Sequence, residues 1–277
     1  MIQNCIGWIL DVYIEYDQAV LWVKSQDGHV LRLTDDYDPV FYIQPKDEKS
    51  GEEIFQILSD LELIKEIKWD HKFTDINSNV KQKLLYVRCF SIHHYNLLLK
   101  TLQHETLQQR IRRLYNTKLS HIQRYLFTQL MIPPTTQVTI EYQDGELVSI
   151  REGSEREDLQ LPFTVMYVEV IPFTEQEVLD RDDPIKTITT TYNSDSLILE
   201  DNESQVLEDF SHYVISKDPD IIVFVSHDSH INMLNYLLER IKSLSLDLPF
   251  GRRKTDIYSV DQGRVLERWT QGRVYLN

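Results

Sequence analysis

Residues 217–254 carry the strongest constraint in the chain. Five apolar residues in a row, Ile221 to Val225, follow directly on Asp218-Pro219-Asp220. A strand without polar alternation is buried on both faces, as in sheets that helices cover. A polar turn comes next, then an amphipathic helix over residues 234–244, then the basic group Arg252, Arg253 and Lys254. The residues before it keep the same alternation. Residues 163–171 form an apolar strand, residues 186–192 a Thr-rich strand, and residues 202–216 a helix with Val206, Phe210, Tyr213 and Val214 on one face. Strands alternating with helices predict an α/β domain.

The opening third reads differently. Short alternating runs at residues 8–14, 19–23, 30–33 and 40–43 predict an antiparallel meander, with a turn at Gln26-Asp27-Gly28-His29. Residues 50–63 shift to a helical period, with Ile54, Ile57, Leu58 and Leu61 on one face. A strand at 84–88 and helices at 92–101 and 118–131 follow, and Pro133-Pro134 stops the last one. This predicts an α+β domain over residues 1–132 and the α/β domain over residues 133–277. The second opens on a hairpin turning at Asp144-Gly145.

Composition excludes several classes. Of the 277 residues, 42% are hydrophobic, enough for packed cores. No apolar run nears the roughly 20 residues of a membrane span. Two cysteines, Cys5 and Cys89, leave no disulfide framework and fit a reducing, cytoplasmic location. A net charge of −15 repels phosphate, so nucleic acid could be held only through local basic patches. The candidates are Arg110, Arg112 and Arg113, and the group Arg252, Arg253 and Lys254. His227 and His230 lack two further zinc ligands in the sequence around them, and His93-His94 reads as a helix start. Asp180, Asp182 and Asp183 read as a solvated turn ending at Pro184.

Four places together resemble the N-terminal half of family B DNA polymerases, of archaeal and bacterial type. These are Ile9-Leu10-Asp11-Val12 continuing to Asp38-Pro39-Val40-Phe41; Ser120 to Leu126 closing at Ile132-Pro133; Tyr167-Val168-Glu169-Val170-Ile171; and Asp218 to Val223 with Gly251-Arg252. The resemblance implies an N-terminal polymerase domain followed by an RNase H-like 3′–5′ exonuclease domain, incomplete at its C-terminal end. It also implies that the polymerase carboxylates lie outside these residues, the chain being a piece of a larger polymerase or a naturally short protein. Its first exonuclease motif is Asp-x-Glu, which aligns Glu169 with the Asp and Ile171 with the Glu. In the second, Asp228 aligns with a non-ligand position, and Ile231, or Asn232 or Met233, with the metal-binding Asp.

Two-metal cleavage needs carboxylates converging on two ions ~4 Å apart, and hard cations need oxygen ligands. The resemblance therefore implies a degenerate proofreading site with no catalytic residue and no metal, Mg²⁺ being expected only for the parent polymerase. It implies a structural, DNA-guiding role in replication or repair, in the cytoplasm at the nucleoid, with DNA and polymerase core domains or a partner subunit as partners. Two other readings stay open. One is an acidic protein-interaction subunit without DNA affinity; the other is an active exonuclease using Glu169 and a further carboxylate.

Overall fold

A computed structural model describes residues 1–75, 77, 79–133, 136–153, 161–173, 180, 182–225, 232–252, 257–261 and 266–276. Contacts divide the chain into two units. One holds Met1–Ile6, Val12–Leu21 and Leu33–Glu155; the other holds Gly7–Asp11, Trp22–Arg32 and Arg156–Asn277. Among the described residues, no helix is long and apolar enough to cross a membrane.

Strands β1 (Gln3–Glu15), β2 (Gln18–Ser25) and β3 (Val30–Asp36) are neighbours in one sheet. Tyr16 and Asp17, both at positive φ, make the tight turn from β1 to β2. The expected meander breaks after β3. Strand β4 (Val40–Pro45) leaves that sheet and pairs antiparallel with two later strands. It begins a β-α-β-β-α-β unit: β4, α1 (Glu48–Ser59), β5 (Ile64–Lys72), β6 (Gln82–Cys89), α2 (Ile92–Leu102), the short α3 (Glu105–Gln108) and β7 (Ile111–Tyr115). The sheet order is β5-β6-β4-β7, antiparallel throughout.

One face of this sheet carries the core. Phe41, Ile43, Leu85 and Val87 pack against Ile54, Leu58, Leu98 and Leu102. Asp47 caps α1 through Ser50 N, and Ser91 caps α2 through His94 N, so His93-His94 is a helix start as read. The helix expected over 118–131 is instead a four-residue α4 (His121–Arg124) running into a π-helical turn, Tyr125–Leu130. A left-handed Met131 ends it.

The hairpin of β8 (Gln137–Gln143) and β9 (Glu146–Glu152) closes a barrel with the first three strands, in the order β1-β2-β3-β9-β8. The sequence division at residue 132 assigns this hairpin to the second domain, whereas contacts place it in the first unit.

The second unit is built on a five-stranded mixed sheet. Strands β10 (Val165–Pro172), β11 (Ile185–Tyr192) and β12 (Asp195–Glu200) run antiparallel. Helix α5 (Glu203–Lys217) then returns the chain to β13 (Ile221–Val225), parallel to β10. Helix α6 (Met233–Ser243) and a hairpin of β14 (Ile257–Asp261) and β15 (Leu266–Thr270) precede β16 (Val274–Leu276), parallel to β13. The order β12-β11-β10-β13-β16 is the RNase H-like mixed sheet that the resemblance implies. Met166, Val168, Val170 and Ile222 meet Val206, Phe210, Leu237 and Ile241 from α5 and α6. The expected fold class, α+β followed by α/β, is what the structure has.

Candidate functional site on the mixed sheet

Alternation on β10 decides what each face offers. Met166, Val168 and Val170 point into the core, so Tyr167, Glu169 and Ile171 share the opposite face. Glu169 lies across from Thr189 on β11 and Val225 on β13. Ile171 is 41% exposed and lies across from Thr187. The face thus presents Glu169 among threonine hydroxyls and hydrocarbon, with Glu200 across from Thr187 on β12, and an isoleucine has no oxygen to give a hard cation.

The second motif divides. Asp228 and Ile231 lie outside the described residues, as do His227, His230, Arg253 and Lys254. Asn232 caps α6, its side-chain oxygen accepting from Asn235 N at 2.9 Å. Met233 is buried in the core. Among the described residues, no three His, Cys, Asp or Glu stand close enough to share a metal ion. Those residues do not fit a divalent-ion site.

The Asp-Pro-Asp block has a different task. Asp218 takes the left-handed conformation that ends α5, at φ 46°. Its Oδ1 accepts from Arg252 Nε at 2.8 Å and Arg273 Nη2 at 2.6 Å. Pro219 has no N–H, and its carbonyl accepts from Arg273 Nε at 2.9 Å. Asp220 is fully buried. It accepts from Thr164 N and Oγ1 at 2.9 and 3.0 Å, from Lys24 Nζ at 2.9 Å and from Arg252 Nη2 at 2.8 Å. Burial alone would raise its pKa. The hydrogen bonds from Thr164, Lys24 and Arg252 outweigh burial and hold the carboxyl below the usual aspartate value.

Arg252 turns inward toward this block. Its side chain is 8% exposed, and Nε, Nη1 and Nη2 all donate internally, Nη1 to Gly272 O. Each of the three nitrogens thus has a partner within the second unit. Gly272 sits at φ +80°, and a Cβ there would meet the Trp22 ring at 2.9 Å, so only glycine closes the hub.

Lys24, Thr164 and Arg273 escaped the sequence reading. The signal was a second Gly-Arg pair, Gly272-Arg273, matching Gly251-Arg252 in type and so matching two carboxylates with two guanidinium groups. A further pair was also missed. Arg240 grips Glu203 through Nε and Nη2, each at 2.7 Å, and donates from Nη1 to Asp182 O at 2.9 Å. Tyr236 donates to Asp183 O, and Asp183 accepts from Asp180 N. The acidic run is thus a pinned turn. In the first unit, Arg110 pairs with Glu53, while Arg112 and Arg113 line an open polar cavity.

No family model matches the sequence, and no curated protein matches it. The solved family B DNA polymerase from the hyperthermophilic archaeon Pyrobaculum calidifontis is similar in fold, with a TM-score of 0.75 at 18% identity. The likeness covers 98% of this chain and 36% of that polymerase, so the chain spans about a third of its length.

Proposed function

We propose that the chain is the N-terminal and exonuclease-like portion of a family B DNA-directed DNA polymerase whose proofreading site has lost its metal-binding carboxylates. Its work is architectural, in DNA replication or repair. It supplies a rigid shell for polymerase core domains or a partner subunit and guides DNA weakly, with Arg253 and Lys254 as the contacts on the second unit. The observation that carries this reading is the outer face of β10. There Ile171 stands beside Glu169 where cleavage would need a second oxygen ligand. The fold likeness supports DNA as the class of partner.

The test is digestion of a labelled primer strand with Mg²⁺ or Mn²⁺. The expected outcome is an intact primer. Metal-dependent shortening that Glu169→Ala abolishes would overturn the reading and leave an active exonuclease built on Glu169.

A further inference from the structure

We infer that the helix-free face of the β5-β6-β4-β7 sheet is a binding platform for single-stranded DNA. The topology is the first ground. A β-α-β-β-α-β unit with this strand order packs its helices on one sheet face, and on the other Leu84 and Tyr86 are buried while Tyr42 and Tyr115 are partly open. Modules that bind single strands on such a face place aromatic rings on the two central strands. Here the central strands are β4 and β6, and each carries a tyrosine on that face.

The register puts three tyrosines in one row. Tyr42 on β4 lies directly across from Tyr86 on β6 and from Tyr115 on β7. Their neighbours in sequence, Phe41, Ile43, Leu85 and Val87, point the other way, into the core. Tyr86 is 8% exposed, with its hydroxyl accepting from Arg88 Nε, so it serves as the edge-on support of Tyr42 at 5.6 Å. Tyr42 and Tyr115 are the partly open rings that bases would stack on.

Charge is the second ground. Lys68, Lys72 and Arg113 stand 4.8, 5.9 and 5.0 Å from the centroids of Tyr86, Tyr42 and Tyr115. Lys68 and Lys72 pair with Glu66 and Asp70 at the surface, and such pairs are worth under about 1 kcal/mol, so a phosphate can displace them. At the end of the row, a cavity of about 340 Å³ opens between Tyr115, Gln44 and Gln82, with Asp75 as its carboxylate. Arg112 and Arg113 line it, and among the described residues neither forms an ion pair with a carboxylate. In a chain of net charge −15, two arginines without a carboxylate ion pair among the described residues, beside an aromatic row, fit a phosphodiester backbone.

The choice of DNA over RNA rests on the polymerase reading above; the platform itself rests on the sheet alone. The test is fluorescence anisotropy of the full chain with labelled oligo(dT) and oligo(rU) of about 12 nucleotides in EDTA, at roughly 50 to 200 mM salt. Oligo(dT) is expected to bind more tightly than a duplex. Tyr42→Leu and Tyr115→Leu should each weaken binding about 5- to 100-fold. Tyr42→Phe, which keeps the ring, should bind like the parent. Arg112→Ala with Arg113→Ala should weaken binding at least about tenfold and lower the salt slope by about 1.4, two contacts at about 0.7 each.

Circular dichroism of each variant separates loss of the site from loss of the fold. A leucine variant that unfolds is replaced by the exposed arginine pair as the deciding measurement. No binding at low salt, equal binding of duplex, or indifference to the arginine pair overturns the platform. So does loss confined to Arg253→Ala with Lys254→Ala. Tighter binding of oligo(rU) overturns the choice of DNA and leaves the platform standing. Primer digestion bears only on the second unit.

Discussion

His121 in the first unit and Asp220 in the second both lie beside an arginine, and they end in opposite charge states. Around His121, burial and then the nearby Arg124 cation lower the imidazole pKa to about 4. The guanidinium Nη1 stands 3.1 Å from His121 Nδ1, and Tyr37 Oη stands 2.9 Å from the same atom. A guanidinium only donates, so Nδ1 accepts and the neutral ring carries its hydrogen on Nε2. Around Asp220, Lys24 and Arg252 converge on a buried anion. Burial pushes both groups toward neutrality. What separates them is the sign of their own charged forms: a neighbouring cation opposes an imidazolium and so reinforces burial at the histidine, but attracts a carboxylate and so overcomes burial at the aspartate.

The largest expected effect lies at the anionic centre. Asp220→Ala leaves Lys24 and Arg252 buried without their acceptor, and should cost about 3–5 kcal/mol in denaturant unfolding. A loss under about 1 kcal/mol would show that the hub is solvated in solution and end the contrast.

Acid should separate the two centres next. The Asp220 carboxyl is lower in the fold than unfolded, so its stabilisation is present above an unfolded pKa of about 4 and is lost as pH falls below that. His121 is also lowered, but as a base. Its unfolded form takes up a proton from about pH 6.5 downward while the folded ring stays neutral until about 4. Stability of the first unit should therefore decline between those values, before the second unit responds. Hydrogen exchange of α4 and β13 amides against pH reads both. Simultaneous loss would break the comparison, and His121→Asn should flatten only the first curve.

The smallest effect belongs to a single neutral bond. Tyr37→Phe removes the hydroxyl facing His121 and should cost about 1 kcal/mol in thermal unfolding, with the slope against pH retained.

Turn chemistry explains which strands were legible. Asp144-Gly145 announces a hairpin because glycine marks positive φ, at 84° here. Asn193 and Ser194 make the same kind of turn at φ 48° and 70° without glycine, so β12 went unread after the Thr-rich run. Tyr16 and Asp17 hide the β1–β2 turn in the same way. Strand β5, IKEIKWDHK, carries too many charges to look like a strand, because it is an edge whose outer face is solvated. The helix predicted over 118–131 has the right apolar spacing, and only the widened turn at Tyr125–Leu130 departs from it.

The site was legible where period alone places side chains. That Glu169 and Ile171 share a face follows from the two-residue repeat of a strand, and the structure adds only their neighbours. Arg252 was not legible. Sequence presents it beside Arg253 and Lys254 as one basic group, and nothing local marks it as the residue that turns inward. Its carboxylate partners lie 32 and 34 positions away.

By itself, then, the sequence determined the class of each segment: the strand at Ile221–Val225, of which only Ile222 and Phe224 are buried, the amphipathic helices, and the single carboxylate on the outer face of β10. These follow from periodicity and side-chain chemistry, which act over a few residues. The tertiary structure alone decided that Asp218 and Asp220 serve the architecture, that Arg252 is sealed among them, and that Tyr42, Tyr86 and Tyr115 form one row. Those outcomes depend on strand order and on which distant charges are buried together, and free energies of burial and pairing are set by neighbours in space.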